Sequence, residues 1–345
     1  MLLIRPIQKQ DLDNLLVIAH DSGHGFTSLP ANRELLENKI KRSCQSIEAD
    51  VGAPGDQAYL FVLEDTEQQK IVGTCGIEAA VGLDDAFYHY RLSKVVHSSR
   101  ELKIYNTADV LTLCNDYTGG TEICTLYLSP DYRDGLNGRA LSKVRFLFMA
   151  EHIKRFSQQV FAEMRGVSDD DGVSPFWRWL DNHFFSMDFP TADYLTGIGN
   201  KQFIAELMPK YPIYVNLLSN DAQAVIGKVH EKTKPALALL EQEGFEWRGY
   251  VDIFDAGPTV EAKLEEIKSV KNSQKVSVEL NDTSQVSEQV EAVPYLVVNT
   301  HLEDFRGLVV YSEIDAIAKT ISMTQEQATA LKVKSADTVR ALKLA

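Results

Sequence analysis

The chain has 345 residues, 44 % apolar and 9 % aromatic, an ordinary globular composition with length for two domains and a small appendage. Its 49 acidic and 35 basic residues give a net charge of −14, which argues against nucleic acid and anionic membranes as partners and favours a cationic small substrate. No apolar run approaches the ~20 residues of a membrane helix, and Met1-Leu2-Leu3-Ile4, cut off by Arg5-Pro6, is too short for a secretory signal. Cys44, Cys75, Cys114 and Cys124 show no CxxC spacing and read as reduced residues of a cytoplasmic protein, with no metal site.

In chain order, residues 2–6 are predicted as a strand and residues 11–20 as a short helix. The loop at residues 21–30 holds two glycines, hydroxyls and His24, residues suited to lining a pocket or to capping a helix. Leu35, Leu36 and Ile40 recur at helical spacing across residues 33–44. Residues 59–63 and 71–77 are apolar runs on either side of a polar turn, the mark of an antiparallel hairpin. Residues 78–120, with Phe87-Tyr88-His89-Tyr90-Arg91 and the strand-like Val110-Leu111-Thr112-Leu113, are expected as inserted sheet and loop.

Cys124-Thr125-Leu126-Tyr127-Leu128 then reads as a buried strand ended by Ser129-Pro130-Asp131. Leu141, Val144 and Phe148 follow at helical spacing. The connecting Arg133-Asp134-Gly135-Leu136-Asn137-Gly138-Arg139 is a small-residue loop that opens a helix. Such a loop exposes unpaired N–H groups at the positive end of the helix dipole, and flanking arginines add charge, so it suits a pyrophosphate. Turns use the same residues for capping alone.

Residues 160–166 read as another buried strand. Pro175 opens a short helix that leads to an aromatic strand at residues 184–189. Residues 250–255 read as a further strand. Residues 269–293, rich in Ser, Asn, Gln and Glu, are expected as a linker or loosely held hairpin before a small β appendage.

The strand, Pro, Arg and Gly-x-Ala turn leading into a helix resembles the acyl-CoA-binding core of the GNAT superfamily of N-acyltransferases, with Arg133, Gly138 and Ala140 matching in place. Leu136 departs from it, standing where the superfamily has its first glycine, so the loop is expected to tilt one amide away or to shift toward Gly135. The resemblance implies an α+β fold: a mixed, mostly antiparallel sheet with helices on both faces. It places an acyl-CoA-binding domain at residues 1–190, a second GNAT-like part at 191–268, and a linker with a β appendage at 269–345.

Thr27-Ser28-Leu29-Pro30-Ala31-Asn32, Cys124-Thr125-Leu126-Tyr127-Leu128, Ser174-Pro175-Phe176-Trp177 and Gly227-Lys228-Val229-His230 are similar to the arginine N-succinyltransferase family over most of residues 1–265. That similarity implies transfer of succinyl from succinyl-CoA to the α-amine of L-arginine, the first step of arginine catabolism by the succinyltransferase route. Succinyl-CoA is then a cosubstrate and no cofactor is permanently bound. It also implies His230 as proton donor and a backbone contact from Leu126, with Leu128, Arg133, Gly138, Arg139 and Ala140 at the succinyl-CoA site. From the residues alone, Leu126 reads equally as a core leucine and His230 as a capping histidine. The guanidinium should want a carboxylate and the succinyl group a cation, for which Glu78, Glu122, Glu163, Arg91 and Arg165 are candidates. An amine acetyltransferase, a non-catalytic CoA-binding scaffold and a homo-oligomer all stay open.

Overall fold

The computed structural model describes residues 1–22, 28–169, 172–188, 191–192, 195–196, 202–281 and 292–344. Residues 1–263 contribute β1 (Leu2–Pro6), β2 (Ala58–Asp65), β3 (Lys70–Glu78), β4 (His89–Ser99), β5 (Ile104–Cys114), β6 (Thr121–Leu128), β7 (Gln159–Glu163), β8 (Ile213–Tyr214), β9 (Glu246–Val251) and β10 (Pro258–Lys263). The remainder adds β11 (Gln274–Leu280), β12 (Val293–Asn299), β13 (Gly307–Ser312), β14 (Ile314–Asp315), β15 (Thr320–Met323) and β16 (Thr338–Lys343). All join one sheet in the order β14-β15-β11-β16-β12-β13-β1-β2-β3-β6-β7-β10-β9-β4-β5-β8. Among the described residues only β6 with β7 and β11 with β15 pair in parallel.

Among the described residues the helices include α1 (Leu12–Ser22), α2 (Arg33–Glu48), α3 (Asn137–Glu151), α4 (Pro175–Leu180), α5 (Gln202–Leu207), α6 (Asn220–Val225), α7 (Lys234–Glu243), α8 (Lys268–Asn272) and α9 (Gln325–Ala330). On one face of the sheet, Leu15, Ile18, Leu36 and Ile40 of α1 and α2 pack on Leu60, Val62 and Ile71. On the other, α3 buries Leu141, Val144, Leu147 and Phe148, and α7 adds Leu240, against Phe61, Cys75, Ile77, Val160 and Ala162. Alternate strand residues thus serve opposite helix layers, as the pleat requires. Gly73 lets α3 lie close, since a methyl there would come within 2.9 Å of Leu141 Cδ2. Lys143 of α3 bonds the buried Glu243 of α7, which also accepts the Ser269 N–H at 2.7 Å, so three helices meet at one carboxylate.

Two strands from the stretch expected as a second unit, β9 and β10, enter the sheet of the first. There β10 pairs with β7 over five positions, and β9 links β10 to β4. The strand expected at residues 250–255 stops at Val251, because Asp252 Oδ1 accepts the N–H groups of Phe254 and Asp255 and closes a turn. The aromatic strand expected from Phe184 is helical at its start: α4 runs on into a wider turn, Asp181–Phe185, which brings Phe185 to 4.9 Å from Trp177. Ser186 then ends it with φ +53°. Residues 269–280, expected in a linker or loosely held hairpin, hold the end of α8 and all of β11, because Val276 and Val278 bury into the appendage's core. Residues 282–291 of that stretch, and residues 23–27 with His24 of the proposed pocket loop, lie outside the described residues.

Candidate active site

Two edges of β6 behave differently. Toward β3 its register slips between Thr74↔Tyr127 and Gly76↔Cys124, so Thr125 and Leu126 together stand opposite Cys75. This is a β-bulge, with Thr125 at φ +55°, and it re-aims the backbone at Leu126. Gly76 makes room for it: a methyl there would sit 3.2 Å from Thr125 Oγ1. From beneath, the buried Arg145 of α3 donates to Cys124 O at 3.4 Å and to Ser142 O and Oγ at 3.1 and 3.0 Å. Burial lowers the pKa of that guanidinium, opposed by the neighbouring Cys75 and Cys124. Toward β7, β6 pairs only at Thr121↔Val160 and Glu122↔Phe161. Past those two positions the parallel strands part, and the bulge lies along the opening.

At the far end of β6, Arg133 Nε donates to Leu128 O at 2.8 Å and Asn137 Nδ2 to Tyr132 O at 3.0 Å, folding the loop back on the strand. Gly135 takes φ +55°, while Leu136, at φ −105°, is the residue that precedes α3. The left-handed residue expected of a first glycine therefore sits one place earlier, the shift that a leucine at 136 requires. Ala140 N–H makes the first helical bond, to Leu136 O at 2.8 Å, so the N–H groups of Asn137, Gly138 and Arg139 lie ahead of the helical ladder. The first turn carries no acid and no side-chain cap. Leu128 and Ala140 are buried beneath the turn, Arg133 is exposed and Arg139 half-buried beside it. A methyl on Gly138 would meet only Leu128 Cδ2, at 3.8 Å.

On the opposite bank the chain continues past β7. Gly166 pairs with Val229, and the His230 N–H donates to Arg165 O at 2.9 Å. His230 opens a short helical turn, and its Nδ1 accepts the Lys232 N–H at 3.1 Å. An accepting Nδ1 leaves the proton of the neutral ring on Nε2. The strip that holds His230 is itself fixed: Asp255 accepts from Gly166 N–H at 2.6 Å and Gly257 N–H at 2.8 Å. Burial and the adjacent Asp252 raise the Asp255 pKa well above the carboxylate range. Space is tight enough that a methyl on Gly257 would lie 2.1 Å from Met164 O.

Leu126 and His230 thus belong to the two sides of one split, and the Arg133–Ala140 loop closes its β6 end. Of the charged candidates, Glu78 is held by Arg42 at 2.9 Å and Lys39 at 3.6 Å, and Glu122 lies opposite it in register. Arg91 sits 5.6 Å over the Tyr250 ring and 3.8 Å from Asp116, and Arg165 donates to Ser168 Oγ at 2.9 Å. Glu163, the last residue of β7, lies 2.9 Å from the buried His89. Arg145, Asp255 and His89 were not legible as site residues, since they meet Cys124, Gly166 and Glu163 only through packing between separate segments of the chain.

A parallel strand pair that parts after two residues, a bulge in one partner and an uncapped helix start at its end make up the core of an N-acyltransferase. Residues 2–269 match the family model of the arginine N-succinyltransferase beta subunit, and residues 274–343 match the model of the C-terminal domain of that same beta subunit. The chain belongs to the arginine N-succinyltransferase beta subunit family. It is 46 % identical to an arginine N-succinyltransferase of Yersinia pseudotuberculosis over 348 residues, covering 100 % of this chain and 98 % of that one. An Escherichia coli arginine N-succinyltransferase is likewise 46 % identical over 344 residues, with the same coverage. Among solved structures, arginine/ornithine succinyltransferase subunit AI of Pseudomonas aeruginosa superimposes with a TM-score of 0.90 at 37 % identity, covering 99 % of this chain and 98 % of that one.

Proposed function

We propose that this chain transfers succinyl from succinyl-CoA to the α-amine of L-arginine, giving N2-succinyl-L-arginine and CoA in the cytoplasm. The observation that carries the reading is the bulged strand β6, open toward β7 past Glu122 and leading directly into the uncapped start of α3. The N–H groups around Gly138, with Arg133 and Arg139 beside them, hold the pyrophosphate, and Leu128 and Ala140 form the apolar floor. The pantetheine arm lies in the split, so the thioester reaches the bulge. The amine lone pair attacks the thioester carbon, and the Leu126 N–H stabilises the oxyanion that forms. The C–S bond then breaks, and His230 donates through Nε2 to the leaving sulfur. The proton shed by the adduct nitrogen passes to the vacated Nε2, so the His230 ring is neutral before and after the step. A thiol pKa of about 8.5 makes the demand on that acid modest.

The test is a thiol-release assay across acyl-CoAs and amino acids. Release with succinyl-CoA and L-arginine together, less with L-ornithine and little with acetyl-CoA is the expected pattern. Equal rates with acetyl-CoA would instead identify an amine acetyltransferase, and no release with any pair a CoA-binding scaffold.

A further inference from the structure

Among the described residues, four buried side-chain polar atoms have no hydrogen-bond partner, and three of them belong to the two residues beside Glu163: His89 Nδ1, His89 Nε2 and Thr259 Oγ1. Thr259 stands directly opposite Glu163 in the β7–β10 register. His89 Nε2 lies 2.9 Å from Glu163 Oε1 but off the line of a hydrogen bond. Both His89 and Thr259 are 0 % exposed, whereas the Glu163 side chain is 28 % exposed and so connects this buried polar group with solvent. Folded proteins leave few buried polar atoms unsatisfied, and a cluster of them marks a place built to bind.

The position within the fold says for what. Val160, Ala162 and Met164 face the α3 layer, so Phe161 and Glu163 face the other side of the sheet, away from the helix that opens the cradle. Phe161 is the last β7 residue in register with β6, which puts Glu163 at the edge of the split. Two residues further on, Arg165 O receives the His230 N–H. An acceptor that attacks a thioester lying in the split approaches from the face that the cosubstrate leaves open, which is the Glu163 face.

The chemistry of the group is equally specific. His89 sits among the rings of Phe87, Tyr117 and Phe161, at 5.1, 4.6 and 5.9 Å, and burial holds it neutral by lowering its pKa to about 4. It therefore supplies hydrogen-bonding capacity without adding positive charge. A carboxylate, a neutral imidazole and a hydroxyl together suit a cation bearing several N–H donors. During acyl transfer the attacking nitrogen must be neutral, so the group that keeps its charge is the acceptor's side chain.

We infer that Glu163, positioned by His89 and flanked by Thr259, is the subsite for the side-chain cation of the acceptor amino acid. This inference rests on the acyl-transfer function proposed above. The experiment compares L-arginine with L-citrulline, its uncharged isostere, as acceptors for wild type and Glu163→Gln, following CoA release at fixed succinyl-CoA. The carboxamide should lower kcat/KM for arginine by about 10- to 100-fold through KM, the loss expected of a charge-assisted hydrogen bond, and leave citrulline unchanged. Thr259→Val, which keeps shape, should raise the arginine KM by about 3- to 10-fold with the KM for succinyl-CoA unmoved. Equal losses for arginine and citrulline would put Glu163 in the chemistry of the amine and overturn the subsite while leaving the transferase reading intact. An unchanged arginine KM in a folded Glu163→Gln enzyme would overturn it as well. No arginine turnover by wild type would remove the transferase reading itself, and the subsite with it.

Discussion

Gly138→Glu separates binding at the start of α3 from the stability of the helix. Gly138 is the second residue of α3, and a side chain added there meets nothing closer than Leu128 Cδ2 at 3.8 Å. No acid occupies the first turn, so a glutamate at this place gains about 0.3–1 kcal/mol from the helix dipole and loses the conformational penalty of a helical glycine. The folded state should therefore be as stable as wild type or slightly more so. Binding should move the other way. A carboxylate about 5 Å from a phosphate costs roughly 1–3 kcal/mol at effective dielectric constants between water and a protein surface, before any loss of N–H contacts. That corresponds to about a 5- to 150-fold increase in the KM for succinyl-CoA. Initial rates of CoA release against succinyl-CoA concentration measure it, with a thermal melt of the same preparation beside them. A folded variant with the wild-type KM would show that the pyrophosphate lies elsewhere and would refute the reasoning.

His230→Asn is the clean removal of the proposed acid, because asparagine can take over the cap to Lys232 N–H while lacking any group at Nε2. Its kcat should fall by about 10²–10⁴-fold with the succinyl-CoA KM little changed, and a wild-type kcat from pH 6 to 9 would make the histidine structural. Stability should also respond to pH through His89 and His152, whose pKa values burial lowers from 6.5 to about 4. Between those values the unfolded chain binds protons that the folded one does not, so each histidine contributes a loss of up to about 3 kcal/mol as pH falls from 6.5 to 4, and nothing further below. Replacing His152, which packs its ring 4.8 Å from Phe148, by phenylalanine should remove about half of that histidine-linked loss in urea titrations at pH 7 and pH 4.5. Parallel losses in the two proteins would show that His152 does not carry it.

What the amino-acid sequence determined by itself is the part of the fold made by neighbours in the chain. The β2–β3 hairpin, the buried β6, the apolar stripe of α3 and the Pro175 start of α4 each follow from a pattern only a few residues long. The loop from Arg133 to Ala140 was legible for the same reason, since a left-handed glycine and an uncapped helix start are local events. Tertiary structure alone decided what the loop leads into. The bulge at Thr125 and Leu126 is a one-residue slip against β3, and nothing within the string Cys124-Thr125-Leu126 reveals which partner residue it will skip. The split exists because β6 and β7 stay in register for two positions while β7 remains paired with β10, a strand about a hundred residues later in the chain. His230 reaches that split through Gly166 and Val229, and Glu163 meets His89 and Thr259 across strands drawn from three distant segments. Such pairings depend on which strands lie side by side, and side-chain periodicity within one strand carries no record of its neighbour.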